Sequence, residues 1–347
     1  MKQVISKLLL SLLFCISFHS NAQSTYANPV EHMNAITKEL SKVQADLWQY
    51  INAASHNKNM RKIEKRRLEI IETTKKSKDA IWKLSSYKGD ATLKDAAVSY
   101  LKISHAVMTE NYSKLVDMEE IAEQSYDAME AYLMAKEMAS DKLDTAGKAL
   151  NIVYKEFAAK NNITLTEAEN KTDEKLEMAG KVYKYYNTMY LIFFKSYKQE
   201  IYVMDALNKG DVSSLKQNGD ALAKVAEEGL KTLDTIRSFN NDASLKQVCR
   251  EVLTFYKNEA ETKLSVFNDF LLKKGAVEKL QKSIESKSAA KRTEAEVEAY
   301  NKAIADYNDA LKKFNTAVDA VNTSRSKLID KWNESSGKFT DKHVPKD

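Results

Sequence analysis

The sequence predicts an all-α fold, an elongated tandem duplication of an antiparallel up-and-down helical bundle with about four helices per repeat. Three observations carry that reading. First, 315 residues without a proline separate Pro29 from Pro345, and the whole chain has eight glycines. Proline breaks helix interiors and glycine weakens them, so a chain this poor in both is built of long helices. Second, the halves repeat. Residues 86–94, S-Y-K-G-D-A-T-L-K, match 238–246, S-F-N-N-D-A-S-L-K, at an offset of 152, and K-L-D-T-A-G-K-A-L-N from Lys142 matches K-F-N-T-A-V-D-A-V-N from Lys313 at an offset of 171. The preserved order gives the second copy nineteen extra residues, expected near 275–293. Third, Val297, Tyr300, Ile304, Tyr307, Leu311, Phe314, Val318, Val321, Arg325, Leu328 and Trp332 follow a three-four spacing in which only Arg325 is charged. A seam of that kind faces other helices.

In chain order, Lys2 and Lys7 precede an apolar run from Leu8 to Phe18 that ends before Ser20-Asn21-Ala22. This reads as a cleavable signal peptide over 1–22, with the apolar run too short for a membrane span. The first repeat, 23–163, opens with a helix marked by Met33, Ile36, Leu40, Val43, Leu47 and Tyr50, which breaks near Ser55-His56-Asn57. A second helix reaches about Tyr87. Gly89 and Asp90 then supply a turn and a cap for a third helix running from Ala91 to about Ala122, and Asn240-Asn241-Asp242 repeats that chemistry in the second copy. A fourth helix covers about Tyr126 to Lys160. Thr164-Leu165-Thr166-Glu167 reads as the capping box that opens the second repeat, 164–335. The polar residues 336–347 are expected to form a disordered tail. Two stacked four-helix bundles are the leading arrangement, and one continuous rod with exchanged helices is the alternative.

Without residues 1–22 the chain has 52 basic and 49 acidic residues, too balanced for a dedicated nucleic-acid binder. Cys249 is then the one remaining cysteine, so no intramolecular disulfide forms; its neighbours Val248, Val252 and Leu253 place it in a core. Export puts the chain in the periplasm, on the outer surface or in the medium. His32, His56, His105 and His343 show no ligand spacing, and no nucleophile elbow or phosphate-binding glycine loop occurs. No catalytic, cofactor or metal residues are assigned, and the chain reads as a non-enzyme.

Two segments stand out as interaction surfaces. Lys58, Arg61, Lys62, Lys65, Arg66 and Arg67 belong to a stretch, 58–78, with nine basic and three acidic residues. Such a patch suits acidic glycan or lipid headgroups, unless the acidic residues of 117–130 match it internally. Tyr183, Tyr186, Tyr190 and Tyr197 belong to an aromatic segment, 182–204, that is apolar on nearly every face. It reads either as core or as an exposed strip for a glycan, a peptide or another helix. With its signal peptide and duplicated proline-poor helices, nearly the whole chain resembles families of exported helical surface proteins of Gram-negative bacteria. That resemblance implies no activity. The function expected is a surface or envelope interaction scaffold whose partner is a protein or another envelope component; the alternative is a periplasmic ligand-binding or sensory bundle.

Overall fold

Ten α-helices make up almost all of the computed structural model, which describes residues 26–56, 60–165 and 171–346. They are α1 (Pro29–His56), α2 (Met60–Trp82), α3 (Thr92–Ala106), α4 (Tyr112–Ala122), α5 (Tyr126–Lys160), α6 (Lys171–Lys209), α7 (Val212–Thr235), α8 (Ser244–Thr262), α9 (Leu264–Glu285) and α10 (Glu294–His343). No strand occurs among the described residues; the fold is all-α. The expected signal peptide and the Thr166 and Glu167 end of the expected capping box lie outside the described residues.

Side-chain caps set several helix starts. Ser125 accepts from Ala128 N, Asp211 from Ser214 N, and Thr293 with Glu296 closes a capping box before α10. The expected third helix is interrupted. A π-helical turn at Val107–Asn111 separates α3 from α4, and the second half has a break at Lys263 between α8 and α9. If α3 with α4 and α8 with α9 are read as interrupted rods, four helices fall in each half.

The two turns that share sequence also share geometry. Lys88 and Gly89 have φ of 47° and 81°, and Asn240 and Asn241 have 46° and 64°. Both pairs make the tight turn that needs two left-handed residues, which glycine and asparagine tolerate. Asp90 N donates to Tyr87 O at 2.9 Å and Asp242 N to Phe239 O at 2.8 Å. Lys94 Nζ reaches back to Leu84 O, and Lys246 Nζ to Ile236 O. The Asp90 carboxylate accepts from Thr92 N and Lys160 Nζ; that of Asp242 accepts from Ser244 N and Lys342 Nζ and meets His343 Nε2 at 2.9 Å. The lysines of the closing helices are therefore 182 residues apart, whereas the sequence match in those helices had an offset of 171. The difference of eleven residues is three helical turns, which keeps the same face and changes the height.

These bonds also overturn the disordered tail. Helix α10 continues to His343, Phe339 and Val344 are buried, and residues 336–346 are packed rather than loose. Lys342 and His343 anchor the end of the helix on Asp242, while Phe339 packs on Tyr185 and Phe239. The local sequence is polar because only one narrow face is covered.

One core lies in the first half, around Ile36, Ile81, Leu93, Leu101 and Phe157. The other is shared between the halves. Trp48, Ala122, Met129 and Leu133 join Val182, Met189, Phe193 and Phe194 of α6, and the cluster continues through α7, α8 and α10. Buried Cys249 belongs to it; burial pushes its thiol up to about 12, and the thiol donates to Met189 O at 3.7 Å.

At the far end, Leu253 lies against Gly229 and Leu264 against Gly219, an antiparallel register that brings residue 271 level with the start of α7 at Val212. From Leu272 onward α9 runs past the body, accompanied by the first part of α10. No residue from 272 to 309 is buried. This two-helix arm, turning at Ser286–Thr293, contains the segment expected to be extra in the second copy. The fifty residues of α10 extend about 75 Å at 1.5 Å each, carrying both the arm and the body.

Asp242 is the bond-richest residue of its turn. Asp242→Ala should lower the urea-unfolding free energy by about 2–4 kcal/mol, because it removes the two contacts that seat the end of α10, with Lys342 and His343, and the bond from Ser244 N within its own turn. Trypsin should then cut the variant after Lys331 and Lys338 earlier than it cuts the native chain.

Candidate functional site

Of the basic residues, Lys58 lies outside the described residues, and the other five line one stretch of α2. Most of their charge is engaged locally. Arg67 Nε and Nη2 donate to the two oxygens of Glu64 at 2.8 and 2.7 Å, and its Nη1 donates to Met108 O at 2.9 Å. That carbonyl lies in the π-helical turn, where the ordinary helical pairing is interrupted. Arg66 pairs with Glu69 at 2.7 Å and Lys65 approaches it at 3.8 Å, while Arg61 and Lys62 are exposed. The open groove beside them, about 520 Å³, carries both signs of charge, with Asp46, Glu69 and Glu72 facing Lys65, Arg66 and Lys76. The internal matching anticipated for this patch thus comes largely from α2 itself and α1. Within the acidic stretch, the side chains of Asp117 and Glu120 are outside the described residues.

The four tyrosines are half-buried along α6. Tyr183 shares a 2.6 Å hydrogen bond with Ser55 of α1. Tyr186 stacks on Tyr190, Tyr190 on Phe194, and Tyr197 on Phe193, with ring centroids 5.5 to 5.9 Å apart. Phe193 in turn stacks on Trp332 of α10 at 4.3 Å. These stacks lie within the second half and belong to the core that also takes in Trp48, Met129 and Leu133 of the first, and burial raises the pKa of Tyr183, Tyr186 and Tyr190.

A third grouping was missed in the sequence. Glu200 of α6, Glu259 of α8 and Arg325 of α10 meet inside the second half. Arg325 Nη2 makes an ion pair with Glu200 Oε1 and lies 3.6 Å from Glu259 Oε1. The side chains of Glu200 and Glu259 are 3% and 0% exposed. Neither oxygen of Glu259, nor the hydroxyl of neighbouring Tyr256, has a hydrogen-bond partner among the described residues. One guanidinium cannot neutralise two carboxylates in an apolar surrounding. Burial, then the charge of Glu200, pushes the Glu259 carboxyl up to about 7, with Arg325 opposing. Burial raises Glu200 as well, but it has the closer contact with Arg325. Below about pH 7 the cluster therefore takes up a proton, and the closer contact of Glu200 with Arg325 places it on Glu259. The signal in the sequence was Arg325, the one charge in an otherwise apolar seam; its partners looked like ordinary helix glutamates.

Glu259 also borders an open groove of about 550 Å³ between α8 and α10, lined among others by Glu251, Phe255, Asn258, Val321 and Ser324. Its carboxyl has no exposed surface, so a molecule in the groove does not reach it in this conformation. Elsewhere His56 Nδ1 meets Asp341 at 2.9 Å and its Nε2 lies 3.3 Å from Pro345 O, tying α1 to the end of the chain. His32 is buried between Tyr26 and Phe157, and burial lowers its pKa. Among the described residues, no three histidine, cysteine or acidic side chains are placed to hold a metal ion. No protein-family model, no curated protein and no solved structure matches the chain.

The proton on Glu259 has a measurable consequence. Its carboxyl titrates near 4.5 in the unfolded chain and near 7 in the folded one, so the stabilisation is complete below pH 4.5 and is lost as pH rises through 7. Unfolding free energy should fall by about 2.5 kcal/mol between pH 5 and pH 8, at 1.36 kcal/mol per unit. His32 acts in the opposite sense below pH 6.5, so the decisive comparison is with Glu259→Gln, which should abolish most of the loss; an unchanged slope would place the proton elsewhere. Arg325→Met leaves two buried carboxylates facing each other and should cost about 3–5 kcal/mol, partly recovered when Glu200→Gln is added.

Proposed function

We propose that the protein is a non-enzymatic, exported helical scaffold of the cell surface or envelope, built as a duplicated four-helix unit, and that its partners are protein or other envelope components. The observation that carries this reading is the arm. A folded body with two cores extends a pair of helices from which every buried residue is absent over 272–309, an arrangement that adds reach without adding stability. Export rests on the lysines, apolar run and small residues of 1–22. No helix of the described residues is long and apolar enough to cross a membrane.

The alternative, a periplasmic ligand-binding or sensory bundle, draws on the groove between α8 and α10 and the proton-carrying glutamate beneath it. The groove is open to solvent, and its lining presents no converging set of buried polar groups apart from Glu259. That favours the scaffold.

Trypsin added to intact cells should cut first at Lys287, Lys291 or Arg292, in the turn of the arm, and leave the body whole. The same nick appearing only after the outer membrane is opened would put the protein in the periplasm and return the groove to first place.

A further inference from the structure

The arm is a charge dipole across its width. Its α9 side carries Lys273, Lys274, Lys279, Lys282, Lys287, Lys291 and Arg292 against Glu278 and Glu285, while the α10 side up to Asp309 carries Glu294, Glu296, Glu298, Asp306 and Asp309 against Lys302. Two contacts join the sides within one arm, Lys273 with Asp306 at 3.8 Å and Lys287 with Glu296. These, with Phe270 on Tyr307 and Phe314, fix an antiparallel pairing in which Val277, Leu280 and Ile284 face Tyr300, Ile304 and Tyr307. All six stay half-buried, because two helices cover only one side of each other. Leu272 and Val297 are exposed outright, at 54% and 40%. Lys274, Lys279 and Lys282 on one side, and Glu294 and Glu298 on the other, are exposed as well and make no ion pair across the arm that would use up their charge.

A surface with one basic helix beside one acidic helix is complementary to itself. When two such pairs associate about a two-fold axis, the basic helix of each faces the acidic helix of the other, all four neighbouring contacts join opposite charges, and like charges lie on the diagonals. The same association covers the open side of the apolar seam. We propose that the arm is a dimerisation element, in which residues 272–309 of two copies of this chain form a four-helix bundle. The inference rests on the reading of the protein as an interaction scaffold and names the partner at the arm: a second copy.

The test is sedimentation equilibrium of the chain from residue 23, at ten to one hundred micromolar and at low and high salt. A dimer that weakens several-fold in high salt is expected. Lys274→Glu/Lys279→Glu/Lys282→Glu makes both sides acidic, and Glu294→Lys/Glu298→Lys removes the acidic side. Each of these variants alone should be monomeric, with helix content unchanged by circular dichroism, and an equimolar mixture of the two should restore the dimer. A monomeric native chain overturns the proposal, as does a dimer that survives deletion of residues 276–301. Either result leaves the scaffold reading standing, because that reading is decided by where trypsin reaches the protein on cells.

Discussion

Helix α6 leaves one polar stripe to solvent, Glu177, Lys181, Lys184, Thr188 and Lys195, and is covered over most of the rest of its circumference, and the architecture follows from that. Away from that stripe residues 182–204 are largely aromatic or aliphatic, and such a helix is stable in water only when neighbours cover those faces. Here α7, α8 and α10 cover one part of the apolar surface and α1 and α5 of the other half cover another. An aromatic side chain buries roughly 150–250 Å², worth about 25 cal/mol per Å² removed from water. The row from Tyr183 to Tyr197 is therefore a large share of what joins the halves, supplemented by polar ties such as Ser55 to Tyr183 and Lys198 to Glu123 O. Because one core runs from Trp48 to Trp332, the two halves are fused rather than strung together.

Against that background the Glu200–Arg325–Glu259 cluster is a departure from the rules of the fold. Position 259 lies seventeen residues after Asp242, and the residue seventeen after Asp90 is Val107, buried and apolar. Buried ion clusters seldom add net stability over apolar packing, and this one sets two carboxyl groups around one guanidinium. What it adds is specificity of a kind hydrophobic packing lacks: α6, α8 and α10 have one relative height at which Arg325 meets both carboxylates.

The body and the arm divide the work between them. Within the body, capped turns and two cores fix the helices; in the arm, the three-four seam of α10 continues with only α9 to meet it. The seam does not change in character along its length, yet its burial does: Val321 and Trp332 are covered and Tyr300 and Ile304 are half-open. Their partners differ in number, and that difference turns a core seam into a surface.

The residues alone determined the helical class, the turns at Gly89 and Asn241, the start of α5, the burial of Cys249 and the face of α10 that seeks partners. Each depends on interactions within a few positions along the chain: missing prolines, left-handed turn residues, a cap, a three-four spacing. Tertiary structure decided which faces meet and at what height. It drew the Phe339 end of the chain into the core, because Asp242, one hundred residues earlier, binds Lys342. It set the closing helices three turns away from their best sequence match, since a shift of eleven residues leaves the apolar face unchanged and only contacts with the turn can tell the registers apart. It gathered Glu200, Glu259 and Arg325 from three helices. Periodicity specifies a face and is blind to translation along it; long-range contacts supply the missing coordinate.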